Sequence, residues 1–69
     1  MESVLHNKMR EHRGRLNMSQ DYLARQIGKD RMTIGNYETG KTHPDVLMAL
    51  RIAEVFGVTV EQVFSEIKL

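Results

Sequence analysis

Apolar residues recur at helical spacing along most of this chain, and the recurrence stops wherever a capping residue or a glycine falls. Leu5, Met9 and Leu16 share one face of a first helix predicted over residues 4–16, with Asn17 and Met18 closing it. Ser19 offers a hydroxyl to cap a second helix over residues 20–27, whose inner face carries Leu23, Ala24 and Ile27. Gly28 follows, and a glycine just past a helix end takes up the left-handed backbone that turns the chain sharply. Asp30 caps a third helix over residues 31–39, with Ile34 and Tyr37 pointing inward and Arg31, Met32, Gly35 and Asn36 left on another face.

Gly40 ends that helix, and residues 41–44 read as a loop because Pro44 cannot continue a helix and biases His43 toward an extended backbone. A fourth helix is predicted over residues 45–56, with Val46, Leu47, Leu50, Ile52, Ala53, Val55 and Phe56 forming a wide apolar stripe that Gly57 stops. Thr59 and Gln62 have the spacing of a capping box, which predicts a short fifth helix over residues 60–66. The expected architecture is all-α, five compact helices in a single domain spanning residues 1–69, without repeats or a linker.

Sixty-nine residues allow one modest core and leave little chain for a catalytic cleft with its supporting shell. The sequence has no cysteine, so disulfides and thiolate metal sites are excluded and stability must come from helix packing. The apolar runs fall far short of the roughly 20 residues needed to cross a bilayer. A cytoplasmic, nucleoid-associated protein without membrane contact is expected. His6, His12 and His43 lack the spacing of a helical metal pair and no carboxylate cluster completes a site, so no metal or other cofactor is expected. Met9 and Met48 lie on apolar stripes and read as core filling. Ser19, His12 and Glu38 lack the surrounding motif of a nucleophile, and no enzymatic activity is expected.

The net charge of +1 conceals an uneven distribution. Residues 1–44 hold eight Lys/Arg against five acids, or +3, while residues 45–69 hold two against four, or −2. All three histidines fall in the first half, so mild acidification sharpens the asymmetry. Such an asymmetry along the chain fits a surface that docks a polyanion and fits chance as well.

Ala24, Gly28, Ile34 and Tyr37 distinguish the chain from a generic helical bundle. Two helices crossing at about 90–120° through a short turn need a small residue where their axes approach, a glycine in the turn and a branched apolar residue on the second helix. A pair fixed in this way leaves the outer face of its second helix protruding, and such a helix fits the major groove of duplex DNA, about 12 Å wide.

The stretches MSQDYLARQIGKDRMTIGNYETGKTHP and ALRIAEVFGVTVEQVF resemble, co-linearly and over nearly the whole chain, the Cro-like and lambda-repressor-like helix-turn-helix regulators. The resemblance implies a five-helix domain with its reading unit at about residues 19–40. It also implies sequence-specific binding of double-stranded DNA as a homodimer, and transcriptional regulation, most simply repression at a pseudo-palindromic operator. By position, Arg31, Met32 and Asn36 match base-reading residues, with Arg31 suited to guanine, Asn36 to adenine or phosphate and Met32 to a thymine methyl. Ser19, Gln20, Thr33, Thr39, Lys41 and Thr42 match phosphate-contacting positions, the amides of Lys41 and Thr42 included. Arg13 and Glu38 match a structural ion pair beneath the DNA-facing surface.

Two residues depart from the family pattern. Lys29 stands where an aliphatic residue is common, and Gly35 lies inside the recognition helix at a cost of about 1 kcal/mol relative to alanine, which either allows close approach to the DNA or leaves the helix locally loose. Arg10 and Arg15 read as solvated charges at the edge of the interface. Beyond core needs the tail is rich in apolar residues, and Ile67 and Leu69 are its expected dimer contacts. A rival reading gives the same fold to a protein-interaction module, such as an antitoxin that binds its partner protein. The polar and basic character of Arg31, Thr33 and Asn36 favours DNA, while Met32 and Gly35 fit either.

Overall fold

The computed structural model describes the backbone from Ser3 to Lys68 and the side chains from Asn7 to Phe64. The elements run β1 (Ser3–Asn7), α1 (Met9–Arg15), α2 (Gln20–Gln26), α3 (Arg31–Thr39), α4 (Val46–Phe56), α5 (Val60–Val63) and β2 (Phe64–Lys68). The five helices of the helix-turn-helix architecture are present, joined by a terminal ribbon that the helical periodicity did not indicate.

That ribbon corrects both ends of the sequence reading. The first helix starts at Met9 rather than Val4, and the fifth stops at Val63 rather than Glu66. β1 pairs antiparallel with β2, with Val4 opposite Ile67, Leu5 opposite Glu66 and Asn7 opposite Phe64. Pairing gives the backbone groups of both short segments ladder partners, which offsets their modest helical spacing. Asn7 fixes the strand-to-helix junction: its Nδ2 donates to the Tyr37 carbonyl at 2.7 Å and its Oδ1 accepts from the Met9 amide at 3.3 Å. The Lys8 amide donates to the Val63 carbonyl at 2.8 Å, so the start of α1 is tied to the end of α5.

The core gathers one face of every helix. Met9, Leu23, Ile27, Ile34, Ile52 and Val63 are fully buried, with Ala24, Tyr37, Met48, Ala53, Phe56 and Phe64 packed among them. Burying one such aliphatic side chain contributes about 1.5–3 kcal/mol. On α4 the inward residues are Met48, Ile52, Ala53 and Phe56, one helical face. The expected broad stripe therefore divides: Val46, Leu47 and Leu50 are 78%, 57% and 52% exposed.

The turn between α2 and α3 follows from Gly28, whose φ of 73° lies in the left-handed region. The Lys29 amide donates to the Ala24 carbonyl at 2.8 Å and the Gly28 amide to the Arg25 carbonyl at 3.4 Å, the paired closure of a Schellman turn. Asn17, at φ 53°, closes α1 in the same manner, with the Met18 amide donating to the Arg13 carbonyl at 2.8 Å. His12 ties α1 to the C-terminal part of the fold, stacking on Phe56 with ring centroids 5.4 Å apart. Arg15 Nη2 stands 3.2 Å from His12 Nδ1, and because a guanidinium only donates, Nδ1 accepts and Nε2 donates to the Gln62 carbonyl at 3.0 Å.

Candidate nucleic-acid interface

α3 begins at Asp30, whose Oδ1 accepts from the Thr33 amide at 2.9 Å and from the Thr33 hydroxyl at 2.8 Å. These two donors, the amide first, hold the Asp30 carboxyl below its ordinary value of 3.8. Ile34 and Tyr37 anchor the inner face of α3 in the core, and burial, with Asp45 nearby, pushes the Tyr37 hydroxyl up. With that face locked, Arg31 and Met32 are exposed, Met32 at 76%, while Gly35 and Asn36 are half-exposed beside them.

Beneath this surface Glu38 is nearly enclosed, its side chain 1% exposed and that of Arg13 14%. Arg13 donates from Nε to Glu38 Oε2 at 2.5 Å and from Nη2 to Oε1 at 3.1 Å, a two-pronged pair, and its Nη1 reaches the Met18 carbonyl at 2.9 Å. Gln20 Nε2 also donates to Glu38 Oε1, at 3.0 Å. One carboxylate therefore holds α1, α2 and α3 together directly under the exposed face of α3.

Gln20 keeps a second amide hydrogen for another acceptor. Ser19 Oγ accepts from the Tyr22 amide at 3.0 Å as the cap of α2, which leaves its hydroxyl hydrogen free to donate outward. Ser19, Gln20 and Asp21 share a shallow depression of about 460 Å³ with Arg10, Arg13 and Arg31. Arg10 is the residue that the sequence reading set aside. It is 75% exposed, as expected of a solvated charge, 3.9 Å from Glu38 through Nε, and stands at the rim of this depression. Its i, i+3 relation to Arg13 was the available signal, since that spacing places both on one face of α1.

On the far side of α3 the chain turns at Gly40 into the exposed residues Lys41 and Thr42. The amides of both donate to the Asn36 carbonyl, at 2.9 and 3.3 Å, closing the helix instead of standing open as a phosphate clamp. That corrects the expectation for these two amides; the side chains remain exposed. The hydroxyl hydrogens of Thr33 and Thr39 are also used internally, Thr33 toward Asp30 and Thr39 toward the Gly35 carbonyl at 3.0 Å. A phosphate needs donors, so either threonine must exchange its internal bond to contact one. Ile67 belongs to β2, paired with Val4, but its side chain and all of Leu69 lie outside the described residues. Among the described residues no cluster of His, Asp or Glu could hold a metal ion, and no helix is long and apolar enough to cross a membrane.

Comparison with known proteins agrees with this geometry. A helix-turn-helix family profile matches residues 9–63. An uncharacterized HTH-type transcriptional regulator of Methanocaldococcus jannaschii is 40% identical over 58 residues, covering 84% of this chain and 88% of the relative. A Bacillus subtilis protein of the same description, YgzD, is 38% identical over the same length and coverage. A crystal structure from Bacteroides fragilis superposes with a TM-score of 0.82 at 24% identity, covering 90% of this chain and 100% of that one. A transcriptional regulator from Listeria innocua gives 0.66 at 22% identity, over 84% of this chain and 59% of its own. With the α2–turn–α3 geometry, the profile match across most of the chain and these relatives, the chain belongs to the Cro- and lambda-repressor-like helix-turn-helix family.

Proposed function

We propose that the protein is a sequence-specific, double-stranded-DNA-binding transcriptional regulator, acting in the cytoplasm as a homodimeric repressor, with residues 1–69 forming one domain. The observation that carries this reading is the exposed face of α3, where Arg31, Met32 and Asn36 stand out from a helix whose opposite face is locked in the core. Donors flank it on both sides: Arg10, Ser19 and Gln20 on one, Lys41 on the other. In the complex Arg31 reads guanine O6 and N7, Asn36 reads adenine and Met32 covers a thymine methyl. Ser19, Gln20, Arg10, Lys41 and Thr42 contact phosphates and position the domain without reading sequence.

A single helix of this length makes too few base contacts to select a genomic site, which favours two copies on half-sites about one helical turn apart. The apolar surface that the fold leaves uncovered at Val46 and Leu50, beside Ala49, Val60 and Phe64, supports a second copy of the chain as the occupant. Repression follows from steric exclusion of polymerase at the occupied operator.

Fluorescence anisotropy against random duplex DNA at several salt concentrations tests the reading. Salt-dependent binding that weakens on Lys41→Ala, with the slope of log affinity against log salt reduced by about 1, is the expected outcome. A folded sample that binds no duplex at low salt overturns it in favour of a protein partner.

A further inference from the structure

Gly35 is a glycine that the fold itself does not require. It lies in the middle of α3 with φ outside the left-handed region, so its backbone suits any L-residue. A Cβ built at Gly35 meets no heavy atom within 4 Å, and nothing in the described structure presses on the place of the missing methyl. Alanine there is therefore the more stable choice for the free protein by helix propensity alone. The open space lies on the outward face, with Arg31 and Met32 one turn before it, Asn36 next to it and Thr39 one turn after. A helix-interior glycine in open space, centred among the proposed base-reading side chains, has its use in what approaches from outside.

We infer that Gly35 is a positioning residue for sequence reading: the absence of a Cβ lets the backbone of α3 seat against the base edges of the major groove, close enough for Arg31 and Asn36 to engage. The inference rests on the DNA-binding reading above. Non-specific complexes are held by phosphate contacts and do not need this seating, so a Cβ at position 35 acts on specific binding alone. Gly14 in α1 supplies an internal control, because a Cβ built there also meets nothing within 4 Å, yet it lies outside the proposed reading face.

The test compares the wild type with Gly35→Ala, Gly35→Val and Gly14→Ala in thermal unfolding and in anisotropy titrations. The probes are a duplex recovered by the wild type from a randomised library and an unrelated duplex of equal length. Gly35→Ala should raise the unfolding midpoint by about 4–8 °C. It should also weaken binding to the selected duplex by about tenfold or more, the scale of one disengaged bidentate base contact. Binding to the unrelated duplex should stay within about threefold. Gly35→Val should bind the selected duplex more weakly still, although its helix propensity lies between those of glycine and alanine. Gly14→Ala should leave both affinities unchanged. Unchanged specific binding by Gly35→Ala, an equal loss on both duplexes, a greater loss for alanine than for valine, or a lowered midpoint for Gly35→Ala each overturns the inference. A folded wild type that binds no duplex at low salt, or that enriches none from the library, overturns the sequence-specific reading above and this inference with it, whereas the Gly35 outcomes overturn the inference alone.

Discussion

Glu38 accepts hydrogen bonds from Arg13 and Gln20 while its own side chain is 1% exposed, so removing it strands a cation and an amide donor in a place with little water. Glu38→Ala is expected to cost about 3–5 kcal/mol in chemical denaturation, because an enclosed charge without its partner is far less stable than the pair. The pair itself contributes less than that figure suggests. The double variant Arg13→Met/Glu38→Leu should recover most of the loss, and a double variant as unstable as the sum of its singles would refute this account. Asp30 works at the surface, and its sign is the ordinary one for a carboxylate. Its folded value is held below 3.8 by the Thr33 amide and hydroxyl, so its contribution is complete above that value and is lost as pH falls through the lower, folded one. An NMR titration should place the Asp30 midpoint below 3.8, and Asp30→Asn should flatten this part of the acid dependence of stability. A midpoint at or above 3.8 would mean that the cap does not hold in solution.

Helices were legible wherever a capping residue and a glycine bracketed an apolar period. α3 between Asp30 and Gly40 has the expected bounds, and the box of Thr59 and Gln62 forms in both directions, at 2.8 and 3.2 Å. The two ends of the chain were not legible, because each is a short apolar segment that satisfies helix and strand alike. Only the pairing of one with the other, across almost the full length of the sequence, decides between them. Asn7 discriminates experimentally. In a helix, Asn7→Ala would stabilise by propensity, whereas at the observed junction it removes bonds to the Tyr37 carbonyl and the Met9 amide. A loss of about 1–2 kcal/mol is expected, and a gain would restore the longer first helix. Thr59→Ala, at the cap of α5, should cost about 1 kcal/mol. α4 has the expected bounds and apolar stripe, but periodicity cannot tell which of its apolar positions the remaining helices cover. The chain has too few helices to cover Val46, Leu47 and Leu50 as well as Met48, Ile52 and Phe56.

At the scale of the molecule, the exposed face of α3 was legible and the arrangement of the donors around it was less so. Arg31, Met32 and Asn36 follow from where Ile34 and Tyr37 must point, a local matter of helical geometry. Arg10 is the exposed charge that was expected, but its place beside Ser19, Gln20 and Arg31 depends on how α1 lies across the starts of α2 and α3, which no local pattern specifies. The amides of Lys41 and Thr42 were overestimated because a sequence does not show that Asn36 has already claimed them. The uncovered apolar surface on α4 belongs to this scale too. Leu50→Asp should leave the fold intact, since Leu50 is 52% exposed, and should shift sedimentation from dimer toward monomer. Unchanged sedimentation would move the dimer contact elsewhere.

The central claim, that the exposed face of α3 reads DNA sequence, is tested most directly by selecting duplexes from a randomised library with the wild type and with Arg31→Ala. The account predicts a symmetric site for the wild type, and for Arg31→Ala the same site with preference relaxed at one guanine in each half and a loss of about 1–3 kcal/mol on the wild-type duplex. A folded wild-type protein that enriches no sequence, or an Arg31→Ala variant that selects an unchanged site with unchanged affinity, would contradict it.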